Sequence, residues 1–224
     1  MGKGLEQELT YLFNIHEEQT KEICKRDVKM KQLVSLIGDI KLNVNKNNFE
    51  QLVTSIIGQQ LSAKTAALII SRLRNLVEGQ INITSIEVLE DEQLRNLGIS
   101  LRKVSFIRDL CSRIKSNLFD VEQLHSYSNS EVIEILTEVK GIGVWTAQMF
   151  LIFSLGRLDV LPLGDQGLQR ASLWLYSQSD KNGIEVLEDS SKMWKPFYTI
   201  PCLYLWKAVD LNLLSKSSNI EGNY

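Results

Sequence analysis

The sequence is poor in the side chains that build metal centres and disulfide frameworks. Its three cysteines, Cys24, Cys111 and Cys202, lie far apart with no CxxC pair, and its two histidines are His16 and His125. Three thiolates are too few for a four-cysteine iron–sulfur cluster, and two imidazoles argue against a zinc site, so no metal site is expected. Widely spaced thiols suit a reduced compartment better than a disulfide scaffold. Proline is scarce too, three in 224 residues, while hydrophobic residues make up 44%. That composition excludes a disordered chain and allows one large domain or two small ones. Long apolar runs are missing; MFLIFSL at 149–155 is the most apolar and is far too short to span a bilayer. The opening GLEQELTYLFNIHEE carries acids where a secretory signal needs an apolar core, and Glu6 stands where myristoylation needs Ser or Thr. The expectation is a soluble protein, cytoplasmic and nucleoid-associated in a prokaryote or nuclear in a eukaryote.

An excess of positive charge is absent as well. The formal net charge is −2, which gives no overall pull toward nucleic acid. The distribution is uneven, however. No acid occurs from Gln51 to Val77 or from Val139 to Leu158, and the stretch from Arg95 to Lys115 has six basic residues against one acid, Asp109. Acids gather at 6–22, 78–92, 120–138 and 180–189. The pattern fits a polyanion met locally, and equally fits ordinary surface scatter.

What the chain does have is helical periodicity. In EVIEILTEV, Val132, Ile135, Leu136 and Val139 recur at i, i+3, i+4 and i+7, with a capping box from Ser128 to Glu131 ahead of them. Asn48 is placed to cap a helix carrying Phe49, Leu52, Val53, Ile56 and Ile57, and Ser62 one carrying Ala66, Ile69, Ile70 and Leu73. EDEQLRNLGIS predicts a short helix stopping near Gly98, and LRKVSFIRDLCSRI a longer one with Val104, Ile107, Leu110, Cys111 and Ile114 inward. VWTAQMFLIFSL is apolar nearly all round and predicts a central buried helix. Two more helices follow in DQGLQRASLWLY and IPCLYLWKAVDLNLL. Strand-like alternation is scarce, with INITSI at 81–86 the best case. The fold class expected is all-α, with roughly ten helices.

Between two of these helices lies VKGIG. Its glycines allow positive φ in a tight turn and leave backbone N–H groups open, which with the following helix N-terminus can receive a phosphate oxygen. An ordinary helix–helix turn with glycine as C-cap explains the same residues. Downstream, RLDVLPLGDQGLQRA runs from 157 to 171. The combination of VKGIGVWTAQMFLIF with LDVLPLGDQGLQRA resembles the helix–hairpin–helix (HhH-GPD) DNA glycosylase superfamily. Within it, the sequence looks like the alkylation-repair branch, the 3-methyladenine DNA glycosylases of the AlkA and Mag type. SIIGQQLSAKTA at 55–66, LGISLRKVSFIRDL at 97–110 and WKPFYTIPCLYLW at 194–206 extend the likeness over about residues 48–210.

The resemblance implies two helical subdomains flanking a cleft. Residues 48–150 would form a bundle ending in the hairpin, and 1–47 with 151–224 the second subdomain. It implies a monofunctional hydrolase that removes alkylated purines, 3-methyladenine above all and 7-methylguanine, from double-stranded DNA by base flipping during base excision repair. No cofactor is implied, a monovalent cation on hairpin carbonyls being the one candidate ion, and a monomer is expected. Asp165 matches the catalytic aspartate, which stabilises an oxocarbenium-like sugar and helps position water; it can also serve as a helix cap. Trp145 occupies the place of the Schiff-base lysine in bifunctional relatives, so lyase chemistry lacks its amine. The likeness sets that indole at the wall of a base pocket, with core packing as its other explanation. Phe197 matches an aromatic pocket position, and Met149 sits where some members carry an aromatic.

Gln60 matches the residue inserted from the minor groove into the gap left by a flipped base, its other explanation being a polar helix end; Gln59 can exchange roles with it. Lys140, Gly141, Ile142, Gly143 and Thr146 fall in the DNA-holding hairpin. Tyr198 and Pro201 depart from the family, which usually carries Arg and a small residue there, and so put the substrate range in doubt. Two rivals stay open: a glycosylase for deaminated bases such as hypoxanthine, and a catalytically weak DNA-binding hairpin protein.

Overall fold

The computed structural model describes residues 9–178, 180–216 and 220. The chain opens with β1 (Leu9–Phe13), α1 (Glu18–Arg26), α2 (Val28–Ile37) and β2 (Ile40–Val44). There follow α3 (Asn48–Gly58), α4 (Ala63–Leu76), α5 (Ile83–Glu87), α6 (Asp91–Asn96) and α7 (Leu101–Lys115). After a 3-10 turn at Val121–Ser126 come α8 (Asn129–Thr137) and α9 (Val144–Phe153). The remainder is α10 (Gln166–Tyr176), α11 (Gly183–Ser191), α12 (Thr199–Asp210) and α13 (Leu213–Lys216). The described residues up to Val44 together with those from Gly156 onward form one compact unit, and Asn45–Leu155 form another. Among the described residues no helix is long and apolar enough to cross a membrane.

The fold is mainly helical, as periodicity predicts, but it is not purely so. β1 and β2 pair antiparallel, Leu9 opposite Val44 and Phe13 opposite Ile40. IKLNV alternates as a half-buried strand should: Ile40, Leu42 and Val44 are buried while Lys41 and Asn43 face out. INITSI, the best case of strand-like alternation in the sequence, is instead a helix start. The Asn82 side chain accepts from Ser85 N and Ser85 returns the bond to the Asn82 amide, a capping box that opens α5.

In the first unit the core is sealed by a buried carboxylate. Asp27 ends α1 and caps α2 through Met30 N at 2.9 Å. It is only 2% exposed, yet it also accepts from Trp194 Nε1 at 2.9 Å and from the Tyr176 hydroxyl. A buried carboxylate costs several kcal/mol unless donors replace its water, and here three donors do so, two of them from distant segments. The arrangement ties α2 to α10 and to the segment before α12.

The second unit is built around α3. Phe49, Leu52, Val53, Ile56 and Ile57 are buried on it, as the spacing predicts. Its cap is Asn47 rather than Asn48: the Asn47 side chain accepts from Glu50 N, whereas buried Asn48 donates to Val121 O at 3.2 Å. Ser62 caps α4 and Ser128 with Glu131 forms the predicted box on α8. α9 buries Thr146, Ala147, Phe150, Leu151 and Ile152 but leaves its start, Val144 and Trp145, exposed.

Candidate active site

Asp165 lies at the end of an irregular segment, 157–165, that is pinned at both ends. At its base the Thr199 hydroxyl donates to Arg157 O at 2.8 Å, and the Thr199 amide donates to Leu158 O at 2.9 Å. At its tip Gln169 Nε2 donates to Leu163 O at 2.7 Å, and Asp165 N closes a tight turn onto Pro162 O at 3.0 Å. The segment therefore presents Asp165 from α10 and α12 rather than as a free loop.

The carboxylate itself is held by two N–H donors on one oxygen. Asp165 Oδ1 accepts from Leu168 N at 2.8 Å, the α10 cap, and from Trp206 Nε1 at 3.2 Å. Capping and orientation are thus the same contact, and the side chain, half-buried, also feels the positive end of α10. Gly167 makes room for this: a Cβ there would lie 3.0 Å from Asp165 Oδ1 and 3.7 Å from Trp206 Cδ1. Beneath, full burial pushes the Cys202 thiol far up, and the Asp165 charge pushes it the same way. Cys202 is a structural core thiol.

The hairpin between α8 and α9 uses its two glycines differently. Gly141 adopts φ +83°, and a Cβ on it would lie 2.1 Å from Phe106 Cδ2. Its bare face is therefore occupied by the Phe106 ring. Gly143 has φ −96°, an extended backbone open to any residue, and caps α9 with no side-chain bond; nothing lies within 4 Å of where its Cβ would be. Of the two, only Gly141 needs positive φ. Ile142 is 4% exposed and its amide donates to Val139 O at 3.0 Å, so its side chain is a peg into the unit. Thr146 is likewise buried. Lys140 reaches outward; its amide donates to Asp109 Oδ2 at 2.9 Å, and its Nζ lies 3.7 Å from Asp109 Oδ1. Burial alone would raise the Asp109 carboxyl, but the Lys140 amide, the Arg113 guanidinium and both positive charges outweigh it and hold the group below its ordinary value.

Trp145 is 49% exposed, so core packing does not account for it. Met149 on the same helix is half-buried. In the other unit Phe197 and Tyr198 are half-buried, and Pro201 falls in the first turn of α12, where a missing N–H is tolerated. Gln60 is exposed with φ +56°, while Gln59 Nε2 donates to Gly141 O at 2.7 Å and is thereby tied to the hairpin.

The charge pattern is more internal than the sequence suggests. Within the basic run Arg108 donates to Ile86 O and Leu89 O and pairs with Asp91, Arg113 pairs with Asp109, and Lys115 pairs with Glu87. Lys103 turns inward as well, donating to Ile57 O at 2.7 Å and Gln59 O at 2.8 Å. Sequence reading missed Lys103, Phe106, Gly167, Thr199 and Trp206 as supports of these segments. Asp109, the lone acid in a basic run, did carry a signal.

Residues 53–196 match the family model of the HhH-GPD superfamily of base excision DNA repair proteins. The chain belongs to that superfamily, as its hairpin and its Gly/Pro-containing aspartate loop lead one to expect. It is similar to DNA-3-methyladenine glycosylase 1 of Schizosaccharomyces pombe, 32% identical over 83% of this chain and 84% of that one. Its fold is similar to the crystal structure of a DNA-3-methyladenine glycosidase from Bacillus halodurans, with TM-score 0.86, 39% identity and coverage of 95% and 98% of the two chains. It is also similar to the S. pombe 3-methyladenine DNA glycosylase Mag1 in complex with abasic DNA, with TM-score 0.75, 31% identity and coverage of 87% and 97%.

Proposed function

We propose that this protein is a monofunctional DNA glycosylase that hydrolyses the N-glycosidic bond of alkylated purines in duplex DNA. The observation that carries the reading is the Asp165 carboxylate, aimed by Leu168 N and Trp206 Nε1 at the end of a pinned segment. The C1′–N bond breaks, and its electron pair leaves with the base. An alkylated purine starts as a cation and leaves neutral, so a strong general acid is dispensable. The sugar becomes oxocarbenium-like, and a fixed negative charge beside it lowers the barrier. Water then adds at C1′ and gives up a proton, which a carboxylate can accept.

Supporting roles follow from chemistry. The exposed indole of Trp145 offers a π face to a cationic base, and Phe197 offers an aromatic surface for stacking. No amine stands at Trp145, so imine formation and β-elimination have no nucleophile there. Lys140 and the amides at the start of α9 suit a DNA phosphate. Exposed Gln60 is the side chain to fill the gap left by a flipped base.

The test is to incubate the protein with duplex DNA methylated on its purines and separate the free bases released. Release of 3-methyladenine and 7-methylguanine, with intact strands until alkali or an endonuclease is added, is expected. Absence of release above background, or prompt strand cleavage, contradicts the reading.

A further inference from the structure

The two segments assigned to DNA, the turn at Gln59–Leu61 and the hairpin at Lys140–Gly143, are joined through one helix that itself carries no assigned role. Along α7, three side chains face the two segments in turn. Lys103 donates to Ile57 O and Gln59 O, so its ammonium caps the C-terminal end of α3, where carbonyls lack helical partners. Phe106 lies against the bare face of Gly141. Asp109 accepts from the Lys140 amide at 2.9 Å. The loop is closed by Gln59, whose backbone carbonyl takes Lys103 and whose side-chain amide donates to Gly141 O at 2.7 Å. Gln60, next in line, is left-handed at φ +56° and exposed. A non-glycine residue holds that conformation only when its neighbours fix the backbone around it.

We propose that α7 is a splint setting the Gln60 turn at one fixed distance from the hairpin, with Lys103 and Gln59 as positioning residues. Gap filling by Gln60 and phosphate capture at the hairpin then occur as one event. The proposal rests on the glycosylase reading. It gives Gln59 a role different from insertion: its amide is spent on the tie, and Gln60 alone points outward. Loss of water around the half-buried ammonium lowers the Lys103 pKa, and its two bonds to carbonyls oppose that shift.

The experiment measures affinity for a duplex carrying a tetrahydrofuran abasic-site analogue with 2-aminopurine opposite it, and for the undamaged duplex. Lys103→Met and Gln59→Ala should each weaken binding to the abasic duplex about tenfold, the size of a lost hydrogen bond to a charged or well-ordered partner. They should also reduce the 2-aminopurine response, which reports insertion. Because the two links act in series on one turn, the double variant should lose less than the sum of the two single effects. Affinity for undamaged duplex should change less than about twofold, since phosphate contacts away from the turn are kept. Lys103→Arg, which keeps a cationic donor, should restore most of the loss. Thermal unfolding separates these effects from general instability, and Gln59→Ala carries the test if Lys103→Met does not fold. Equal losses on damaged and undamaged duplex, or fully additive losses in the double variant, overturn the splint. If that happens while the wild type still releases methylated purines, the glycosylase reading stands alone. A wild type with no preference for the abasic duplex overturns both.

Discussion

Trp206 Nε1 donates to Asp165 Oδ1 at 3.2 Å, across 41 residues of sequence. An indole on α12 thus sets the angle of a carboxylate at the head of α10. Trp206→Phe keeps much of the ring and removes the donor. It should lower kcat about ten- to a hundredfold, the worth of one hydrogen bond to a charged acceptor, and leave KM nearly unchanged. Single-turnover excision from methylated DNA measures the first, and its substrate dependence the second.

Gly167 supplies the space for that contact. Gly167 lies in the first turn of α10, where only part of alanine's helix-interior advantage of about 1 kcal/mol over glycine is realised, so Gly167→Ala should change the melting temperature little. Its Cβ would nonetheless press on Asp165 Oδ1 from 3.0 Å. The expected outcome is a protein of nearly unchanged stability with reduced kcat, checked by calorimetry and excision kinetics on one preparation.

Gly141 is constrained twice, by φ +83° and by the Phe106 ring. Gly141→Ala should cost about 1–2 kcal/mol for the left-handed backbone and about 1–3 kcal/mol for overpacking. Adding Phe106→Ala should relieve only the second part. Urea unfolding of the two variants and of Phe106→Ala alone separates the contributions.

Asp109 gives the hairpin an acid limit. Its folded pKa is depressed, so its contribution is fully present above the ordinary aspartate value of about 3.9 and is lost as pH falls through the lower folded value. Asp109→Asn should therefore be less stable than wild type at pH 7, with the gap closing only in the acid range near and below the ordinary carboxylate value. Urea midpoints of both proteins measured down the pH scale test this, and a gap that stays constant into acid would contradict it.

Local signals were legible in the sequence, and long-range ones were not. Ser128 with Glu131, Ser62, and the stripe from Phe49 to Ile57 act within a few residues, and each stands where its spacing puts it. The sheet was missed because IKLNV is only five residues long and its partner at Leu9–Phe13 lies some thirty residues earlier, with Leu9 and Leu12 exposed. INITSI alternates like a strand yet is helical, because Asn82 and Ser85 satisfy each other's backbone, which an alternation of apolar and polar residues does not reveal. At the candidate site Asp165 and the hairpin were found by motif. Trp206, Thr199 and Lys103 were not, because each acts on a segment dozens of residues away. The glycines of VKGIG fit either an opening for a ligand or an ordinary turn, and the space at Gly141 belongs to Phe106.

The central claim is that Asp165 acts on the sugar and not merely as a helix cap. Asparagine keeps an oxygen for Leu168 N and Trp206 Nε1 and removes the charge. The most direct measurement is single-turnover release of 3-methyladenine by wild type and Asp165→Asn, alongside affinity for an abasic duplex. A loss of at least about a hundredfold in rate with binding retained is expected of a charge that stabilises a developing cation. Equal rates in the two proteins would contradict it.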